Sequence, residues 1–181
     1  MAIIILDRDG VINYDSDQYI KSPAELIPIA GSLEAIAQLY QAGHRIVVAT
    51  NQAGLARGLF DIETLTLIHT KLERLLSALG GRIEAIFFCP HGPWENCNCR
   101  KPLPGMYLEI ARCLSIRLDT VFCVGDSLRD IQAARAAGGK PALVLTGNGQ
   151  ATLTEAKEIS DVLVYPDLAH FATAFLATRT V

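Results

Sequence analysis

No run of apolar residues in this 181-residue chain exceeds a handful, so no segment is suited to span a bilayer as a helix. The charges of Asp7 and Arg8 come before a secretory apolar region could form, and a cytoplasmic protein is expected. Lysine and arginine are nowhere gathered into a block and the net charge is −3, which argues against a nucleic-acid partner. Internal repeats, low-complexity segments and any polar or Pro/Gly-rich stretch long enough to be a linker are also missing. With half of its residues hydrophobic, the chain is expected to form a single domain over residues 1–181 and to act as a monomer. Its five cysteines (Cys89, Cys97, Cys99, Cys113 and Cys123) are an odd number, which fits a reducing compartment better than a disulfide framework.

What is present alternates. Short apolar runs at Ile3–Leu6, Arg45–Thr50, Ala85–Cys89, Thr120–Gly125, Ala142–Thr146 and Val162–Val164 predict strands. Between them, 62–79 carries Ile62, Leu65, Ile68, Leu72, Leu75, Leu76 and Leu79 at helical spacing, with Asp61 placed to cap it. Further helices are predicted over 32–42, 105–115, 128–137 and 167–177, with Gly43 and Gly138 at the left-handed position just past two of them. This alternation predicts an α/β fold: a three-layer, Rossmann-like parallel sheet with helices on both faces.

Ligands of open parallel sheets bind beyond the carboxyl ends of the strands. Here the first strand ends in Asp7 and Asp9, the second in Thr50-Asn51-Gln52 and the fourth in Gly125-Asp126-Ser127. The Asp7-Arg8-Asp9-Gly10 segment thus projects two acids from a core strand, where a catalytic carboxylate and its magnesium would be built. Asp126 could also cap the helix that follows. Asp130 either reaches a metal-bound water or pairs with Lys101 or Arg129.

Cys89, His91, Cys97 and Cys99 fall within eleven residues, and three thiolates with one imidazole satisfy tetrahedral zinc. No open coordination position is needed, so the zinc is expected to be structural. The loop runs directly into Arg100 and Lys101, so ordering it would place both cations. Cys113 and Cys123 read as buried core residues.

Asp7-Arg8-Asp9-Gly10-Val11, Thr50, Arg100-Lys101-Pro102 and Val124-Gly125-Asp126-Ser127 with Asp130, in that order, resemble the haloacid dehalogenase-like phosphatases. The resemblance implies that Asp7 attacks phosphorus and becomes an aspartyl phosphate. It implies that Asp9 protonates the leaving oxygen and then activates water, and that Asp7, the Asp9 carbonyl and Asp126 hold magnesium. Thr50 and Asn51 would cradle the phosphoryl oxygens while Lys101 neutralises them. The zinc loop narrows the likeness to a small branch without a large cap domain. That branch holds the heptose bisphosphate phosphatases, whose pattern also matches Asn51-Gln52-Ala53-Gly54-Leu55-Ala56-Arg57-Gly58 and Pro104-Gly105-Met106, and their near rivals, the histidinol-phosphate phosphatases. Five residues (92–96) between His91 and Cys97 resemble the rival, and Ser127 stands where some relatives have lysine. Within this branch a small sugar phosphate is the expected substrate, with Gln52, Arg57, Arg100, Asp15 and Tyr19 beside it. The rest of the loop Asn13–Tyr19 would border the sugar.

Overall fold

The computed structural model describes residues 1–155 and 162–178. Six strands, β1 (Ile3–Leu6), β2 (Arg45–Asn51), β3 (Ala85–Cys89), β4 (Phe122–Gly125), β5 (Lys140–Val144) and β6 (Leu163–Tyr165), pair in parallel in the order β3-β2-β1-β4-β5-β6. Among the described residues, α1 (Ser32–Gln41), α2 (Ile62–Ser77), α3 (Gly105–Leu114), α4 (Leu128–Ala136) and α5 (Gly149–Glu155) lie between successive strands, and α6 (Leu168–Ala177) follows β6.

β1 shows why the sheet needs cover on both sides. Successive strand side chains point to opposite faces. Ile4 and Leu6 accordingly pack with Leu33, Ile36, Ile68, Leu72, Phe171 and Phe175 from α1, α2 and α6. Ile3 and Ile5 pack with Met106, Tyr107, Ile110, Ala133 and Ala134 from α3 and α4. All four β1 residues are buried, each contributing about 1.5–3 kcal/mol of apolar burial. The expected three layers are present, and no helix among the described residues is long and apolar enough to cross a membrane.

Several local expectations hold. Asp61 caps α2 by accepting the Thr64 N–H at 2.8 Å, and Gly43 and Gly138 have φ of +84° and +81°. Others need correction. Thr120 closes a 3-10 turn, Leu118–Thr120, and leaves β4 to begin at Phe122. β5 starts two residues early, at Lys140, and ends at Val144, because Thr146 turns away to bond the Gly10 carbonyl at 2.6 Å. α5 has no counterpart in the sequence reading.

Asp126 does not cap α4. That place belongs to Ser127, whose backbone N–H and hydroxyl both donate to Asp130 Oδ2. Cys113 is exposed rather than core: the buried stripe of α3 runs through Tyr107 and Ile110 toward Leu114, and Cys113 meets Glu109 Oε1 at 3.2 Å. Cys123 is buried, as expected.

Candidate active site

The strand order reverses between β1 and β4, and both strands deliver acids at their carboxyl ends. Asp7 follows β1 directly, its N–H bonded to the Val124 carbonyl at 2.9 Å. Asp126 follows β4. Gly10 lets the chain between Asp9 and Val11 pass close: its φ is +82°, and a Cβ there would collide with Asp126 Oδ2.

One ammonium stands among three carboxylates. Lys101 Nζ lies 3.0 Å from Asp7 Oδ2 and 2.5 Å from Asp130 Oδ1, and donates to the Ala49 carbonyl at 2.9 Å. The carboxylates of Asp7, Asp126 and Asp130 each offer an oxygen, and these oxygens lie within 4.8 Å of one another; all three residues are buried. Burial raises Asp7 well above the usual carboxylate range; Lys101 opposes this, and Asp130, Asp126 and Asp9 add to it. Burial, then Asp130, pushes Asp126 up to about 6 against the donors of Asn148. Asp130 stays below the ordinary range because Lys101 and Ser127 outweigh burial. Burial works against the Lys101 charge too, but Asp130 and Asp7 raise its pKa nonetheless. Three acids against one base leave room for a divalent cation, and an all-oxygen set suits magnesium. Asp130 is therefore tied to Lys101 and Ser127, one of the alternatives open from the sequence.

Asp9 is gripped from three sides. Arg8 donates to it through Nε and Nη2 at 2.9–3.1 Å, Asn13 Nδ2 bonds Oδ1 at 2.9 Å, and Gln52 Nε2 bonds Oδ2 at 2.9 Å. Gln52 also donates to Thr50 Oγ1 at 2.9 Å. Gln52 thus links the second acid to the Thr50 hydroxyl, and the Asn51 side chain is spent on the backbone of Lys101. The buried Arg8 guanidinium meets His69 Nε2 at 3.1 Å; burial, followed by Arg8, lowers the His69 pKa to about 4.

Above these groups lies a cleft of about 280 Å³. Asp7, Asp9, Thr50, Asn51, Gln52, Lys101 and Asp126 line it, with Asp15, Tyr19, Arg57 and Arg100 also on its wall. The structure therefore gathers every residue expected at the phosphate and substrate. Sequence reasoning missed four roles. Arg8 and Asn13 hold Asp9, Asn148 donates its backbone and side-chain nitrogens to Asp126 Oδ2 at 2.8 and 3.1 Å, and Arg129 reaches the cleft wall. Asn13 lies inside the loop expected to border the sugar, Arg8 inside the Asp7-Arg8-Asp9 motif, and Arg129 enters only as an alternative partner of Asp130, while Asn148 carries no signal.

The second cluster lies beside the cleft. Cys89, His91, Cys97 and Cys99 present donor atoms within 4.8 Å of one another. Their recorded separations are 3.6 Å for Cys89–His91, 3.3 Å for His91–Cys99, 3.9 Å for Cys89–Cys97 and 3.2 Å for Cys89–Cys99. A tetrahedron with metal–sulfur bonds of about 2.3 Å has edges of about 3.8 Å; the Cys89–Cys97 pair matches that edge, the other separations are shorter, and three thiolates with one imidazole are a donor set of the kind zinc takes. Burial, then the Cys99 contact, pushes the Cys89 thiol up to about 12, so a thiolate there calls for a cation. Arg100 Nη1 donates to the His91 carbonyl at 3.2 Å, tying the cluster to the cleft wall.

Known proteins match this arrangement. A HAD-hydrolase-like family model matches residues 98–171. A curated relative from Bordetella bronchiseptica, named D-glycero-beta-D-manno-heptose-1,7-bisphosphate 7-phosphatase, is 56% identical over 97% of this chain and 98% of its own length. The crystal structure of the D,D-heptose 1,7-bisphosphate phosphatase of B. bronchiseptica, complexed with magnesium and phosphate, superposes with a TM-score of 0.96 at 56% identity, covering 98% of this chain and 99% of that one. The corresponding enzyme of Burkholderia thailandensis gives a TM-score of 0.79 at 45% identity, over 98% of this chain and 99% of its own. The chain belongs to the haloacid dehalogenase-like hydrolases, in the family of the heptose-1,7-bisphosphate 7-phosphatases.

Proposed function

We propose that this chain removes the 7-phosphate of D-glycero-β-D-manno-heptose 1,7-bisphosphate, giving heptose 1-phosphate and inorganic phosphate through an aspartyl phosphate on Asp7. The observation that carries the reading is Lys101 Nζ, 3.0 Å from Asp7 Oδ2 on the floor of a cleft walled by arginines, in a chain so close to its relatives. The names of those relatives favour the sugar over histidinol phosphate.

A phosphate monoester repels an incoming anion, so its oxygens must be neutralised before Asp7 can approach. Lys101 supplies one positive charge. Magnesium, held by Asp7, Asp126 and the backbone carbonyl of Asp9, would supply two more. Gln52 occupies an acceptor position of Thr50 Oγ1, which frees the hydroxyl proton for a phosphoryl oxygen. Asp7 forms a bond to phosphorus as the bond to the sugar oxygen breaks, and Asp9, which enters this step as the protonated acid, gives its proton to that oxygen. Asp9, now a carboxylate, takes a proton from water as the water attacks phosphorus and releases Asp7. Arg8, Asn13 and Gln52 keep Asp9 aimed through both steps. Zinc would hold the 89–99 loop and, through it, Arg100 and Lys101. The proposal takes a cytoplasmic monomer as the acting form, checked by light scattering.

Phosphate release with magnesium from both heptose 1,7-bisphosphate anomers, histidinol phosphate and fructose 1,6-bisphosphate tests the reading. The β anomer should give the highest kcat/KM. A strong preference for histidinol phosphate would overturn the substrate, and no release from any of the four would overturn the reaction. Asp7→Asn should abolish turnover while the fold stays intact, because an amide is a far weaker nucleophile; substantial residual activity would remove Asp7 from its role.

A further inference from the structure

Arg57 is held by two aromatic rings from separate loops. Its guanidinium carbon lies 4.7 Å from the centroid of Trp94 and 5.7 Å from that of Tyr19. Trp94 belongs to the segment between His91 and Cys97, and Tyr19 to the loop that follows the nucleophile. Trp94 is 58% exposed, so it is not there to fill the core. Gly92 makes its place: a Cβ on Gly92 would press into the indole.

The Arg57 guanidinium has no hydrogen bond or ion pair among the described residues. The guanidinium carbon sits over both rings, and such cation–π contacts restrain it without using its N–H groups, which stay available for an acceptor. Arg57 and Tyr19 both line the cleft that holds Asp7 and Lys101. The other wall cations differ: Arg100 Nη1 is bound to the His91 carbonyl and Arg129 Nε to Ser127 Oγ at 3.1 Å.

We propose that Trp94 and Tyr19 clamp Arg57 as a pre-oriented fork for the phosphate that is not transferred, so that the loop between His91 and Cys97 selects bisphosphates over monophosphates. The proposal rests on the phosphatase reading above and assigns Trp94 a positioning role.

The metal-loaded full chain is tested with heptose 1,7-bisphosphate and heptose 7-phosphate. In Trp94→Ala the ratio of kcat/KM for the bisphosphate over the monophosphate should fall roughly tenfold, through KM, and Trp94→Phe should restore most of it. Arg57→Ala should lower the same ratio roughly thirtyfold; lying outside the cysteine loop, it keeps the test valid if Trp94→Ala fails to fold. An equal loss on both substrates, or a loss confined to kcat, overturns the clamp. Trp94 is the only tryptophan, so its emission reports on Arg57 directly. Inorganic phosphate should shift that emission in the wild type and not in Arg57→Ala; no shift in the wild type overturns the proposal. Should the wild type hydrolyse neither sugar, the functional reading fails, whereas a phosphate response lost in Arg57→Ala would still uphold the clamp.

Discussion

Asn51 and Lys101 are joined by two hydrogen bonds: Asn51 Nδ2 donates to the Lys101 carbonyl at 3.1 Å, and the Lys101 backbone N–H donates to Asn51 Oδ1 at 3.1 Å. The end of β2 thereby grips the segment that leaves the cysteine cluster, and it does so at the residue whose ammonium faces Asp7. Asn51 was expected to cradle the phosphate. In this structure its side chain is bonded to the Lys101 backbone, while Asn51 remains on the cleft wall.

Asn51→Ala should therefore act on the chemical step. Misplacing a reacting group by about 1 Å costs on the order of a hundredfold, so kcat is expected to drop ten- to a hundredfold with a smaller change in KM. Steady-state kinetics decide. A raised KM at normal kcat would return Asn51 to direct substrate binding.

Asn148 holds Asp126 through two donors, and Asn148→Ala removes the side-chain one. Partners behind a metal ligand typically change metal affinity by about ten- to a hundredfold when lost. With the backbone donor retained, the lower figure is expected for magnesium, measured by calorimetric titration and by the magnesium dependence of turnover. Equal affinity in the variant would count against Asp126 as a ligand.

Cys97→Ser should release the metal from the 89–99 loop, lower the melting temperature and reduce turnover together, since Asn98 and Cys99 lead straight to Arg100 and Lys101. Elemental analysis should find about one zinc per chain in the wild type and much less in the variant. A variant that loses zinc yet keeps full activity would show that the loop does not place Lys101.

His69 gives a pH signature. Burial and then Arg8 lower its pKa from 6.5 to about 4, so the folded state resists protonation that the unfolded chain accepts. Protons are taken up on unfolding in this window, and stability is complete above pH 6.5 and declines as the pH falls through 4. The full shift corresponds to roughly 3–3.5 kcal/mol as an upper bound. Glutamine at this position can still accept from Arg8 but does not titrate. Denaturation of wild type and His69→Gln between pH 7 and about 3.5 should show the wild type losing more, and parallel curves would contradict this account.

Local sequence was enough for a good part of this molecule. Ile3–Leu6 could only be a strand, being short, branched and apolar, and the i, i+3, i+4 spacing of Leu65, Ile68, Leu72 and Leu76 could only be a helix. The polar ends of β1, β2 and β4, together with the rule that ligands bind beyond the carboxyl edge, put Asp7, Thr50 and Asp126 in one cleft. The close spacing of Cys89, His91, Cys97 and Cys99 allowed a metal cluster to be read without a fold at all.

Tertiary structure decided the rest, because those features depend on what a side chain meets across space. α5 has seven residues and begins at a glycine, too short for periodicity to show, yet it is the segment that brings Asn148 and Thr152 onto Asp126. Cys113 has helical spacing that fits a core position, and only the drift of the α3 stripe toward Leu114 turns it outward. Gln52, Asn51 and Arg57 each carry groups able to bind a phosphate. Which acceptor or ring each one meets, Asp9, the Lys101 backbone or Trp94, was settled when the loops packed against one another.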